Sequence, residues 1–266
     1  MARVYCIANQ KGGVGKTTTV VNIGDYLTVR GHSVLVVDID PQANATSSLG
    51  YGREARQPFT DRRHTVYDAL IRGVPISRVI HTTRRPRLHV VPSAPALAGA
   101  EVELVNLPER EQRLRQVLAP VLQLYDYVLM DTPPSLGLLT INALTATEDG
   151  VIIPVQCEYL ALEGLGQLLH TINLVRTHLN PRLKVAGVIL TMYDGRTRLS
   201  QEVAREVKEF FKANEVFDTI VPRNIRLGEA PSFGETIFTY APESAGALAY
   251  SLLTEELLAR ETACRQ

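Results

Sequence analysis

The hydrophobic pattern of this 266-residue chain alternates short, continuous apolar runs with longer stretches at helical spacing. Apolar runs at 4–8, 33–39, 88–91, 127–130, 150–155, 183–191 and 216–221 have the length and Val/Ile content of strands buried on both faces. After the first of them, Val20, Ile23, Tyr26 and Leu27 mark a helix over 19–29, with Gly31 as its C′ stop. Further helices are predicted at 65–70, 96–107, 108–124 (opened by Pro108-Glu109), 137–146, 158–177, 200–213 and 245–260. Residues 48–63 are polar and glycine-containing and read as a surface loop. Strands alternating with helices predict an α/β chain, a mostly parallel twisted sheet flanked by helices on both faces. At this length a single domain spanning 1–266 is expected.

Composition narrows the function classes. Lys plus Arg and Asp plus Glu both number 28, so no field of one sign covers the whole chain. Any contact with nucleic acid must come from a local patch. The arginines at 84–87 read as part of a solvated loop. Cys6, Cys157 and Cys264 lie far apart, which argues against a disulfide framework or a zinc site and fits a reducing cytoplasm. The N-terminus runs straight into the first predicted strand, so neither a secretory leader nor an operator-reading domain is expected ahead of it. No apolar run is long enough to span a membrane.

Candidate chemistry begins where the first strand ends, at Lys11-Gly12-Gly13-Val14-Gly15-Lys16-Thr17-Thr18. Strand, glycine loop and helix N-terminus together make an anion cradle. Glycines let the backbone approach, N–H groups point inward, and the helix dipole favours negative charge. Lys16 is placed to reach β- and γ-phosphates, and the Thr17 hydroxyl to ligate Mg²⁺. Two strand ends add carboxylates on the side where ligands of parallel sheets bind. Asp38 and Asp40 close the second strand, Asp40 as the candidate to orient an attacking water and Asp38 for the magnesium shell. Asp131 closes the apolar run at 127–130, about 115 residues after the loop, where it would support Mg²⁺ through water.

The loop departs from G-x-x-x-x-G-K-[ST] in having Gln10 where glycine belongs and an extra lysine, Lys11. The form K-G-G-x-G-K-T resembles the deviant Walker A motif of the ParA, MinD, ArsA and nitrogenase-iron-protein class, which implies the P-loop NTPase fold. In that class the first lysine reaches the partner's nucleotide, so the resemblance implies a homodimer formed on ATP binding. The run D-I-D-P-Q-A-N-A-T at 38–46 resembles the ParA switch I segment, D-T-P-P-S at 131–135 is shared with ParA and MinD, and E-Y-x-A-L-E-G-L at 158–165 points to the ParA/Soj branch. The stretch from Pro222 to Gly234 is similar to the family's adenine-wrapping segment, which implies base contacts from Pro222 and Asn224, with Met192 nearby.

The resemblance therefore implies a DNA-partitioning ATPase using ATP and Mg²⁺. Its ATP-bound sandwich dimer would bind double-stranded DNA without sequence preference, and hydrolysis stimulated by a ParB-type centromere-binding protein would release it. Lys11, Lys16 and Asp40 would be catalytic, and Arg196 and Arg226 would contact DNA. The implied location is cytoplasmic and nucleoid-associated. The alternative is a MinD-like membrane-cycling regulator of cell division. The last predicted helix argues against that, because Glu255, Glu256 and Glu261 face only Arg260 and Arg265, with no lysine to dock an anionic surface. A cluster-carrying ATPase would need paired cysteines, and a small-molecule transferase stays open because a P-loop does not choose the acceptor.

Overall fold

The computed structural model describes residues 2–51, 64–159, 162, 164–212 and 214–263. Its seven strands are β1 (Arg3–Ile7), β2 (Val34–Asp38), β3 (His81–Thr82), β4 (Leu88–Val91), β5 (Tyr127–Asp131), β6 (Gly150–Gln156) and β7 (Val185–Thr191). They form one sheet in the order β3-β4-β2-β5-β1-β6-β7. Every neighbouring pair is parallel except β3 with β4, where His81 and Thr82 add a short antiparallel edge that the hydrophobic pattern does not reveal. The eleven helices described are α1 (Lys16–Val29), α2 (Asn44–Ser48), α3 (Val66–Ile71), α4 (Leu97–Leu104), α5 (Arg113–Leu118), α6 (Leu138–Ala146), α7 (Leu165–His178), α8 (Arg198–Phe210), α9 (Ile225–Glu229), α10 (Ile237–Tyr240) and α11 (Ala245–Ala263).

The pleat divides the core in two. One face of β1, through Val4, Cys6 and Ala8, joins the layer built by α3 to α8. The other, through Tyr5 and Ile7, joins α1 and α11 with Phe217 beneath them. Residues alternate between these layers because side chains alternate along a strand. Helices on both faces leave β1, β2, β5 and β6 almost no water-exposed surface, hence their unbroken apolar runs. The last helix is core as well as cover, with Tyr250, Leu253 and Leu257 buried against the α1 layer.

Three expectations are corrected. The run at 216–221 is not a strand. It touches β7 at its two ends only, through the bridge Val188–Val216 and the Val221 N–H, which donates to the Leu190 carbonyl at 2.9 Å. Between them the N–H groups of Asp218 and Thr219 donate to the Glu256 carboxylate of α11, both at 2.9 Å, so a side chain takes amides that a ladder would have used. The helix expected from Pro108 starts instead at Arg113, because Glu109 adopts a left-handed φ of 50°. It tightens into a 3₁₀ turn over Ala119–Leu124 where Pro120 removes a donor. The helix expected from residue 158 begins at Leu165. Of the loop expected at 48–63, Ser48 closes α2 and residues 49–51 form a turn after it; residues 52–63 lie outside the described residues.

Strand register decides what the C-terminal edge of the sheet presents. Ile7 on β1 is level with Asp131 on β5, and Asp131 with Asp38 on β2. The loop after β1 therefore leaves the sheet beside two successive strands, β5 and then β2, that end in carboxylates. The arginines at 84–87 are tethered. Arg85 pairs with the fully buried Asp25 at 2.8 Å, Arg87 donates to the Gly31 carbonyl, and Arg84 lies 4.0 Å from Glu235.

Candidate phosphate cleft

A cleft of about 260 Å³ opens at that edge, lined by Gly12, Gly13, Gly15, Lys16, Thr17, Thr18, Asp40, Gln42, Asn44, Pro134 and Met192. Its floor is the loop between β1 and α1. Gly13 and Gly15 have φ of 73° and 91°, and Gly15 is the residue before the first helical turn, so the chain can enter α1 with its early N–H groups facing the cleft. Val14 turns the other way, 1% exposed, and its carbonyl accepts the Thr191 hydroxyl at 2.9 Å. The end of β7 thus props the loop from below.

Asn9 props it from the side. Its buried side chain donates to the Pro154 carbonyl at 2.7 Å and accepts the Lys11 N–H at 3.0 Å, tying the loop entrance to β6. The hydrophobic pattern passes over Asn9. The available signal was a polar residue at the mouth of a buried strand, immediately before the glycines.

The two lysines of the loop point to different places. Lys16 is 6% exposed, and its ammonium donates to the Lys11 carbonyl at 3.0 Å. Burial lowers its pKa, with Asp131 and Asp40 opposing. Lys11 does not line the cleft. Its ammonium reaches outward to the Tyr159 carbonyl at 3.3 Å, in an exposed contact.

Of the three aspartates, one lines the cleft and two are fully buried behind it. Asp40 lines the cleft, and its carboxylate accepts the Gln42 N–H at 2.9 Å. Asp131 is fully buried. One oxygen accepts the Thr17 hydroxyl at 2.7 Å, and the other, equally buried, has no partner. Burial first, then the charge of Asp38, raises its pKa well above the usual carboxylate range. Asp38 differs from Asp131 in its partners and not in its burial. It is fully buried, does not line the cleft, and uses both oxygens within the protein. Its pKa is pushed up to about 6, chiefly by burial, against the hydrogen bonds it accepts.

Met192 lines the cleft in a left-handed conformation, φ 51°, which lets the chain leave β7 and bridge from Tyr193 to Pro222. Pro222 and Asn224 are therefore close along the chain path to Met192 but are not among the lining residues. Asn224 caps α9, its side chain accepting the Arg226 N–H at 2.9 Å. The same bridge joins the two chain segments just before Arg196 and Arg226. Both arginines are exposed and each has a local carboxylate, Asp194 at 2.8 Å and Glu229 at 2.9 Å.

A buried lysine, a hydroxyl beside a carboxylate with a spare buried oxygen, and a loop lined with amides make a cleft shaped for a phosphate and its cation. The fold and this loop define a P-loop protein of the deviant Walker A class. A family model described as an AAA domain matches residues 2–185. The chain is 52% identical over 259 residues to the Bacillus subtilis "Sporulation initiation inhibitor protein Soj", covering 97% of this chain and 99% of that protein. It is 50% identical over 262 residues to the Myxococcus xanthus "Chromosome partitioning protein ParA", covering 98% and 90%. Among solved structures it superposes on a Mycobacterium smegmatis protein described as a cobyrinic acid a,c-diamide synthase with bound ADP and magnesium. That match has a TM-score of 0.84 and 38% identity and covers 99% and 97% of the two chains. The chain belongs to the ParA/Soj family of chromosome-partitioning proteins.

Proposed function

We propose that this chain is a Mg²⁺-dependent ATPase that partitions DNA, acting as one domain and as an ATP-bound homodimer. The observation that carries the reading is the division of labour between the two loop lysines. Lys16 is buried in the chain's own cleft, and Lys11 is turned outward at its rim. Lys16 takes the β- and γ-phosphates in place of the Lys11 carbonyl it now meets. The N–H groups from Gly12 to Thr18 hold the remaining oxygens, Val14 keeping the loop in shape. Thr17 and the unpartnered oxygen of Asp131 fit a hydrated magnesium ion. That ion, when bound, offsets the charge that builds up on the transferred phosphoryl group. Asp40 orients the attacking water from the cleft wall. Lys11 completes the cleft of a second copy, and Met192, Pro222 and Asn224 form the side on which the base rests.

In the dimer, Arg196 and Arg226 from both copies hold double-stranded DNA by its phosphates. A ParB-type protein stimulates hydrolysis and so releases the dimer. The chain then works in the cytoplasm, on the nucleoid. Among the described residues no helix is long and apolar enough to cross a membrane, and the burial of one face of α11 in the core counts against the MinD-like alternative. The test is ATP turnover with and without plasmid DNA and a ParB-type peptide, alongside retention on DNA with ATP or ADP. Retention only with ATP, and turnover raised by DNA and peptide together, is expected. Turnover that needs only a small-molecule acceptor sinks the reading.

A further inference from the structure

The segment between Asp38 and Thr46 is closed on itself by one carboxylate. Asp38 Oδ1 accepts the Asp40 N–H at 3.1 Å, and Oδ2 accepts both the N–H and the hydroxyl of Thr46, at 2.8 and 2.6 Å. The Thr46 oxygen in turn accepts the Ser93 N–H at 2.9 Å, at the end of β4. A hydroxyl has one proton, so with Ser93 as its donor it must give that proton to Asp38. Thr46 is 6% exposed, and bonds made there do not compete with water. Asp38 on β2 and Ser93 beyond β4 belong to adjacent strands. Thr46 therefore pins the far end of the segment to the rigid sheet at two points.

What lies between those pins faces the cleft. Asp40, Gln42 and Asn44 all line it, and Ala43 holds the turn into α2 with a left-handed φ of 54°, uncommon for a residue with a side chain. A turn of this kind keeps its shape only while its ends are held. We infer that Thr46 is a positioning residue for hydrolysis: its hydroxyl fixes the turn that presents Asp40 to the cleft. It touches neither phosphate nor water itself. The glycine loop, which supplies the nucleotide's binding groups, stands on other supports, Asn9 and Thr191. Losing the Thr46 hydroxyl should slow turnover and leave nucleotide binding almost intact.

The inference rests on ATP hydrolysis at this cleft, and the experiment separates the two. Turnover and binding of a fluorescent ADP analogue are measured on the full chain as wild type, Thr46→Val and Thr46→Ser. For Thr46→Val, kcat should fall roughly 10- to 100-fold, the span of one lost hydrogen bond to a charged group. KM and the affinity for the ADP analogue should stay close to wild type, and Thr46→Ser should recover most of the rate. If Thr46→Val does not fold, Thr46→Ala makes the same comparison without adding bulk. A kcat that survives loss of the hydroxyl overturns the inference. So does a serine variant as slow as the valine one, or a loss of ADP-analogue affinity in step with the rate. A wild-type chain that hydrolyses no ATP would instead overturn the proposed function.

Discussion

The two ends of the sheet use the same ingredient, a buried carboxylate, to opposite effect. At the N-terminal end, Glu261 of α11 takes the Tyr5 hydroxyl at 2.7 Å on one oxygen. On the other it takes the Tyr127 hydroxyl at 2.8 Å and the Arg3 guanidinium at 2.9 Å. Arg3 also holds Asp149, whose second oxygen accepts the Val4 N–H at 2.8 Å. Both carboxylates there hold the one guanidinium, and burial, reinforced by Glu261, keeps both phenols protonated. At the C-terminal end Asp131 has one partner and one empty oxygen, with Asp38 level with it on the next strand. Satisfied, a buried carboxylate staples the last helix to two strands. Left short of partners, it becomes a place for something else to bind.

The contrast can be broken from the site end first. Lys11→Ala should remove stimulated turnover by about 10³–10⁵, the scale of a charge supplied across an interface, or roughly 4–7 kcal/mol of transition-state stabilisation. Binding of nucleotide to the single chain should remain. A variant whose stimulated rate equals wild type would mean the cleft is complete within one copy.

The opposite end should answer in stability. Glu261→Ala leaves Arg3 short of a partner and two buried hydroxyls unmatched, so unfolding should come easier by on the order of 3–5 kcal/mol. Denaturant titration measures this, and ADP-analogue affinity should be unchanged at temperatures where the variant is folded. A variant as stable as wild type would show that the Glu261 network is no staple.

A smaller effect, opposite in sign, is expected from Asp131→Asn without nucleotide or metal. The folded pKa of Asp131 lies above its unfolded value, so the stability it contributes is present below the unfolded pKa, near 4. That contribution is lost as pH rises through the folded value. Asparagine keeps an acceptor for Thr17 and never ionises. Its Tm should match wild type at pH 4 and exceed it at pH 8, and ATP with Mg²⁺ should cancel the advantage. Equal curves at both pH values would mean Asp131 carries no burial penalty.

The exposed arginines mark the weak end of the scale, where a carboxylate partner is bathed in water and contributes little. In the proposed dimer, two arginines per copy would give four phosphate contacts and a log–log salt slope near −4, which Arg226→Ala should bring to about −2. ATP turnover without DNA should stay near wild type. An unchanged slope in a low-salt retention assay would remove Arg226 from the DNA face.

Much of this was legible in the amino-acid sequence because its causes are local. The loop at 11–18 follows from glycines between an apolar strand and a helix. Asp131 could be placed because an apolar run ending in a carboxylate marks the edge of a buried strand. Lys11 stood out as a second lysine where the usual pattern has none. The misreadings came where a distant group competes with a local preference. The run at 216–221 looks like a strand, but Glu256, more than 35 residues further on, takes its central amides. Nor does the strand end that marks Asp38 for a magnesium shell reveal that both its oxygens accept hydrogen bonds, from Asp40 and from Thr46.

The order of apolar runs and glycines thus determined the α/β layout, the anion cradle and the side of the sheet on which it lies, through periodicity and backbone freedom. Strand register and helix docking decided which carboxylates became neighbours, which were saturated, and which kept a free oxygen. Those are long-range pairings, and no spacing along the chain encodes the depth at which a side chain comes to rest.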